Sequence, residues 1–226
     1  MTAAFSCVQA EIFDLGALYK YHFEKFTTRE GALSATVKSI IFELLGLIMK
    51  KFSKLVPREC TVSQLLSTCC RVCREELEGE GKRGNQKREL TIASGALHCI
   101  ELALVVDPSL SKQGKTGTLP PELGIISLSW EIGTKIGDDV YRLATLGINP
   151  PESIHKYDVP KAALGIFASH SKLFQERLLS QCVVIFNKLT QLALHKNTEL
   201  RRSGVRAFDS FMKAVYQRVF LGRALY

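Results

Sequence analysis

No stretch of this sequence reaches 18 consecutive apolar residues; the densest, Ile40 to Met49, is interrupted by Glu43 and Gly46, so no membrane-spanning helix is expected. The first residues carry no basic cluster ahead of an apolar core, which argues against a secretory leader. Seven cysteines, an odd number, fit the reduced thiols of the cytosol or nucleus better than a disulfide framework. Long polar stretches are also few, and 46% apolar with 23% charged residues is the composition of a folded chain rather than a disordered one. Acidic residues are the minority charge, 22 against 30 Lys and Arg, for a net charge of +8 and a pI near 9.2. That balance favours acidic partners such as nucleic acid or an anionic surface.

Catalytic and metal signatures are missing as well. Gly114-Lys115-Thr116 has the ending of a phosphate-binding loop, but the position that needs the first glycine is Ser109 and no strand leads in. Cys69, Cys70 and Cys73 offer one Cys-x-x-Cys spacing without a second ligand pair, since Cys60 and Cys99 stand alone; in a helical pattern they read as small buried residues. The five histidines, His22, His98, His155, His170 and His195, are scattered, with no neighbouring nucleophile and base arrangement. There is no kinase-type glycine loop, no Asp-Phe-Gly, and none of the six aspartates has Asn five positions later. No catalytic residue, metal ligand or cofactor site is therefore assigned to this segment.

What the sequence does contain is helical periodicity and an internal echo. Leu33, Val37, Ile40, Ile41, Leu44, Leu45 and Ile48 recur at three and four; so do Leu178, Leu179, Cys182, Val183, Ile185, Phe186, Leu189, Leu192 and Ala193, and Ala207, Phe208, Phe211, Met212, Val215 and Val219. Asn197 and Thr198 stand ready to cap the last of these helices. Further helices are expected from Phe5 to about Lys25, Thr61 to Leu77, Leu90 to Val106 and Leu123 to Leu143, the last weakened by Gly124, Gly133 and Gly137 and expected to bend or break. Val159-Pro160-Lys161-Ala162-Ala163-Leu164-Gly165-Ile166-Phe167 is echoed by Leu200-Arg201-Arg202-Ser203-Gly204-Val205-Arg206-Ala207-Phe208, with Lys161 and Arg202 41 positions apart. That is the spacing of HEAT and armadillo repeats, in which the first helix of a hairpin packs on its neighbour. The expectation is an all-α fold, an α-solenoid of HEAT/armadillo-like hairpins forming one segment over residues 1–226, with an irregular middle at about 107–157 and its clearest repeats at 158–220.

Exposed loops are expected at 78–88 and 107–121, with another break at 147–153. Basic residues gather at Lys82, Arg83, Lys87 and Arg88 in the first loop, at Lys50, Lys51, Lys54 and Arg58, and at Arg201, Arg202 and Arg206 in the last helix. Lys82, Arg83, Lys87, Arg88, Arg201, Arg202 and Arg206 are the candidate nucleic-acid contacts, by charge alone. The bland alternative is a solvated helix rim, and no aromatic interleaving points to base stacking.

Tyr157 to His170, followed by Glu199-Leu200-Arg201-Arg202 and Ser210-Phe211-Met212-Lys213, resembles the N-terminal HEAT-repeat region of DNA-dependent protein kinase catalytic subunits, within the phosphatidylinositol-3-kinase-related kinases. Phe42-Glu43-Leu44-Leu45-Gly46-Leu47 and Ser94-Gly95-Ala96-Leu97 fit the same region in the same order. The resemblance implies a nuclear, noncatalytic scaffold arm that helps encircle a broken double-stranded DNA end and meets the Ku heterodimer during nonhomologous end joining, as part of a larger serine/threonine kinase subunit whose kinase domain this segment lacks. The alternative is a free-standing helical-repeat scaffold for protein partners without direct DNA contact.

Overall fold

The computed structural model describes residues 14–27, 33–52, 55–57, 62–79, 90–104, 135–150, 157–174, 181–216 and 219. Among them are eight α-helices and no strand: α1 (Leu15–Thr27), α2 (Ala35–Phe52), α3 (Val62–Leu77), α4 (Thr91–Ala103), α5 (Lys135–Gly147), α6 (Asp158–His170), α7 (Cys182–Ala193) and α8 (Thr198–Tyr216). One turn of 3-10 helix, Ser171–Phe174, extends α6. None of these helices is long and apolar enough to cross a membrane.

Several helices start where a side-chain oxygen can take an otherwise orphaned N–H. Asp14 accepts the Ala17 amide at 2.9 Å, Ser34 the Val37 amide at 3.4 Å, and Asn197 the Leu200 amide at 3.0 Å. Of the two residues expected to cap α8, Asn197 is the one that does so. Helix α4 has no such neighbour: Leu90 precedes it with φ of 48°, a left-handed conformation costing a leucine about 1–2 kcal/mol. Burial of the Leu90 side chain offsets that cost, and Glu76 reaches over from α3 to accept the Ala93 amide at 3.1 Å.

The contacts form two rows. Helices α2, α4, α6 and α8 each pack on the next, and α1, α3 and α5 do the same. Each odd-numbered helix also packs on the even-numbered helix that follows it. The core runs unbroken from Tyr19 to Ala214, centred on the fully buried Phe42, Leu45, Leu97, Ile100, Leu164, Ile166, Phe167 and Phe211. Cys69, Cys73 and Cys99 belong to this core, and burial pushes the Cys69 and Cys73 thiols well up and that of Cys70 up to about 12.

The echoed segments occupy α6 and α8, which pack together, and equivalent residues do equivalent work. Ala163 lies against Gly147 at the end of α5, as Gly204 lies against Leu192 and Ala193 at the end of α7. Phe167 meets Tyr141 of α5 edge-on at 6.4 Å, and Phe208 meets Phe186 of α7 in a tilted contact at 5.4 Å. The echo marks second helices, however, since α6 pairs with the preceding α5 and α8 with the preceding α7. The expected irregular middle contains α5, a regular helix sealed to α3 by Arg74–Asp139 at 2.7 Å and by Arg142–Glu78. Gly137 sits in its first turn, and the helix runs on to Gly147, past the expected end at Leu143. Gly124, Gly133 and the whole of the expected loop at 107–121 lie outside the described residues.

Periodicity located the helices more accurately than their buried faces. In α2 Ile41, Leu45 and Ile48 of the expected stripe are buried, but Val37 and Ile40 are exposed, while Ser39 and Gly46 are buried. Val183 and Val184 of α7 likewise face outward, together with Leu194 and Val205. At the position equivalent to the fully buried Leu164, Val205 is 52% exposed, because α8 has a described neighbour in its row on one side only.

A polar groove and the basic positions of α8

The row α2, α4, α6, α8 carries an open groove of about 770 Å³ across its face. Helix α4 contributes Thr91, Ser94, His98 and Glu101, spaced three, four and three so that they form one polar stripe on an otherwise apolar helix. Helix α2 adds Ser39 and Glu43, α6 adds Asp158, Lys161 and Ser169, and α8 adds Ser203, Arg206, Asp209 and Ser210. Four carboxylates face two full cations, so the groove inverts the sign of the chain's overall charge.

At one end His98 stands between two carboxylates, its Nδ1 3.8 Å from Glu43 and its Nε2 3.9 Å from Glu101. The interaction with Glu43 raises its pKa, partial burial opposes that, and Glu101 adds to the rise. Glu101 ties α4 to α6: its carboxylate accepts the Ser169 hydroxyl at 3.1 Å, and its backbone carbonyl accepts from His170 Nε2 at 2.8 Å. Burial drives the His170 pKa down to about 4, so at neutral pH it is an uncharged donor. Gly165 makes room for this junction, because a Cβ there would collide with the Glu101 carboxylate.

At the other end the cations are unequally engaged. Lys161 reaches Glu199 at 2.6 Å and Lys213 reaches Asp209 at 2.7 Å, both exposed pairs that fix geometry more than they stabilise. The Lys161 hydrogen bond and charge hold the Glu199 carboxyl low, with Arg202 contributing less. Arg206 lines the groove itself.

The candidate nucleic-acid contacts are thus divided. Arg201, Arg202 and Arg206 are all exposed on α8, but at about 100° per residue Arg202 and Arg206 lie about 40° apart while Arg201 sits about 100° round from Arg202. Arg201 turns towards the α7–α8 connection, where Nη1 donates to the His195 carbonyl at 3.3 Å. Lys82, Arg83, Lys87 and Arg88 lie outside the described residues, as do Lys54 and Arg58; Lys50 and Lys51 are exposed at the end of α2. The groove residues other than Arg206 were not singled out from charge clusters, although the 91, 94, 98, 101 stripe was present as a signal.

A family model described as DNA-PKcs, N-terminal, matches residues 2–221. The chain belongs to this DNA-PKcs N-terminal family. It is 20% identical over 205 residues to a DNA-dependent protein kinase catalytic subunit of Xenopus laevis, covering 91% of this chain and 4% of that protein. Relatives of the same name from Canis lupus familiaris and Gallus gallus are 30% identical over 87 residues and 28% over 96, each covered over 2% of its length. The chain therefore spans a small fraction of the DNA-PKcs proteins it matches. Two segments that carry the resemblance meet in the fold: Gly46 of α2 lies against Cys99 of α4, and Gly95 of α4 against Ser39 of α2.

Proposed function

We propose that this chain is a HEAT-type solenoid segment, the N-terminal scaffold of a DNA-PKcs-like protein, which supports DNA-end and Ku binding in nuclear double-strand-break repair by nonhomologous end joining. The observation that carries this reading is the family match across almost the whole chain, joined to two rows of helices in which repeat-equivalent residues play the same packing roles. A solenoid of this kind works by presenting surface, and the exposed cations are what it offers a duplex. Arg201 and Arg202, with Lys82, Arg83, Lys87 and Arg88, are the phosphate contacts in this scheme. Arg206 shares its groove with carboxylates that repel phosphate, and is left to a different partner.

The test is fluorescence anisotropy with a labelled blunt duplex across a salt series. Affinity should fall steeply with salt, and R201A/R202A should weaken it and flatten the log–log slope by about 2, while R206A changes little. Binding indifferent to salt, or no binding by the folded chain, would remove direct DNA contact from the scheme. The acidic lining of the groove favours a second reading, a scaffold for protein partners without DNA contact. Retention of purified Ku after nuclease treatment, with no duplex binding, is the result that would select it.

A further inference from the structure

The groove has features that neither DNA contact nor helix packing uses. Its floor crosses four helices drawn from residues as far apart as Ser39 and Ser210, and its two ends differ. At the α2–α4 end, Glu43 and Glu101 face one imidazole from opposite sides at 3.8 and 3.9 Å, beyond good hydrogen-bond length. Two carboxylates so placed are incompletely neutralised and accept a cation with two or three N–H donors. At the α8 end, Arg206 presents a guanidinium that the neighbouring Lys161–Glu199 and Lys213–Asp209 pairs leave uncommitted. Along the lining, the hydroxyls of Ser94 on α4 and of Ser203 and Ser210 on α8 offer hydrogen bonds to a bound backbone.

We propose that this groove docks a short extended segment of a protein partner, one cationic side chain entering between Glu43 and Glu101 and one acidic side chain pairing with Arg206. Charge complementarity selects this occupant: the lining is acidic in a basic chain, which disfavours a phosphate backbone, and opposite charges at the two ends favour a ligand of mixed sign. Helices in contact lie about 8–10 Å apart, so α4 and α8, separated by α6, are about 16–20 Å apart. At about 3.3 Å per residue an extended segment covers that distance in five or six residues. The ligand signature is a Lys or Arg and an Asp or Glu five or six positions apart.

His98 sets the sensitivity of the site to pH. The groups facing it are Glu43 and Lys50 from α2 and Glu101 from its own helix, while on the α6 side Ser169 and the neutral His170 are bonded to Glu101. When His98 is protonated it competes with the incoming cation for both carboxylates; when neutral it releases them.

The experiment selects 12-residue peptides from a random display library on the immobilised full chain, and measures fluorescein-labelled winners by anisotropy. Enriched peptides should carry the spaced charge pair, and E43Q/E101Q should weaken them at least tenfold. R206E should weaken them and be rescued by exchanging the peptide's acidic residue for Lys, while K196Q, outside the groove, changes nothing. Affinity should rise from pH 5.5 to 8, and H98A should flatten that rise, which loss of a merely structural histidine would not do. Circular dichroism confirms that each variant is folded. Failure to select peptides, winners without the charge pair, or affinity unmoved by E43Q/E101Q and R206E would overturn the proposal. Duplex binding by R201A/R202A is read separately, so either proposal can fail alone.

Discussion

Replacing Gly95 by Ala tests the packing that builds the groove, because structure and helix propensity predict opposite signs. In an unobstructed helix interior the exchange stabilises by about 0.5–1 kcal/mol, since alanine has less conformational freedom to lose. Gly95, however, faces α2 at its closest approach, and a Cβ would stand 2.6 Å from both the Cα and the carbonyl oxygen of Ser39. Ordinary carbon–carbon contacts begin near 3.5 Å, so the overlap is about 1 Å. The obstacle is backbone, which no rotamer change removes. Relief requires α2 and α4 to part by about that distance, loosening Phe42, Leu45 and Leu97 in the densest part of the core. Overpacking of this kind costs about 1–3 kcal/mol, and at about 2–4 °C per kcal/mol for a chain of this size the expected fall in Tm is about 2–12 °C. Urea and thermal unfolding followed at 222 nm read both quantities. Gly46→Ala, which brings a Cβ to 2.9 Å from the Cys99 Cα, should act similarly, and the double variant should cost less than the two single losses together because one separation relieves both clashes. A Gly95→Ala protein as stable as the parent, or more so, refutes the close approach.

Two further outcomes bear on the ends and junctions of the helices. His170, with its pKa lowered to about 4 by burial, refuses a proton that the unfolded chain accepts below about 6.5. Its contribution is therefore complete above that value and is lost as pH falls towards 4, by about 3 kcal/mol in all; the urea midpoint of His170→Gln should approach that of the parent between pH 7 and 4.5, and a constant gap contradicts the assignment. Asn197→Ala removes the oxygen that caps α8 and should lower stability by about 1 kcal/mol, with Asn197→Ser retaining most of it; equal midpoints for parent and Ala variant would show the cap to be idle.

The groove explains why α4 mixes residue types as it does. Thr91, Ser94, His98 and Glu101 lie on one stripe while Ala93, Ala96, Leu97 and Ile100 fill the core, so the helix carries both a packing face and a working face. This division was legible in the sequence at spacings of three and four. Its chemistry was not, because the partners of His98 and Glu101 come from α2 and α6, some 55 and 68 residues away in the chain for Glu43 and Ser169. The α8 arginines show the same limit: their charge is plain from the sequence, but only the neighbours of α8 separate Arg201, beside the His195 carbonyl, from Arg206 in the groove.

By itself the sequence indicated most of the described helices, the two candidate caps of α8 and the 41-residue echo of α6 in α8, because helix periodicity, capping and repeat spacing are written in residues close together or in matching register. Only the tertiary structure decided that Ser39, Gly46 and Gly95 are buried while Val37 and Ile40 are exposed, and that an acidic groove crosses a basic chain. The physical reason is that periodicity fixes which side chains share a face, whereas burial and electrostatic environment depend on how closely another backbone approaches that face.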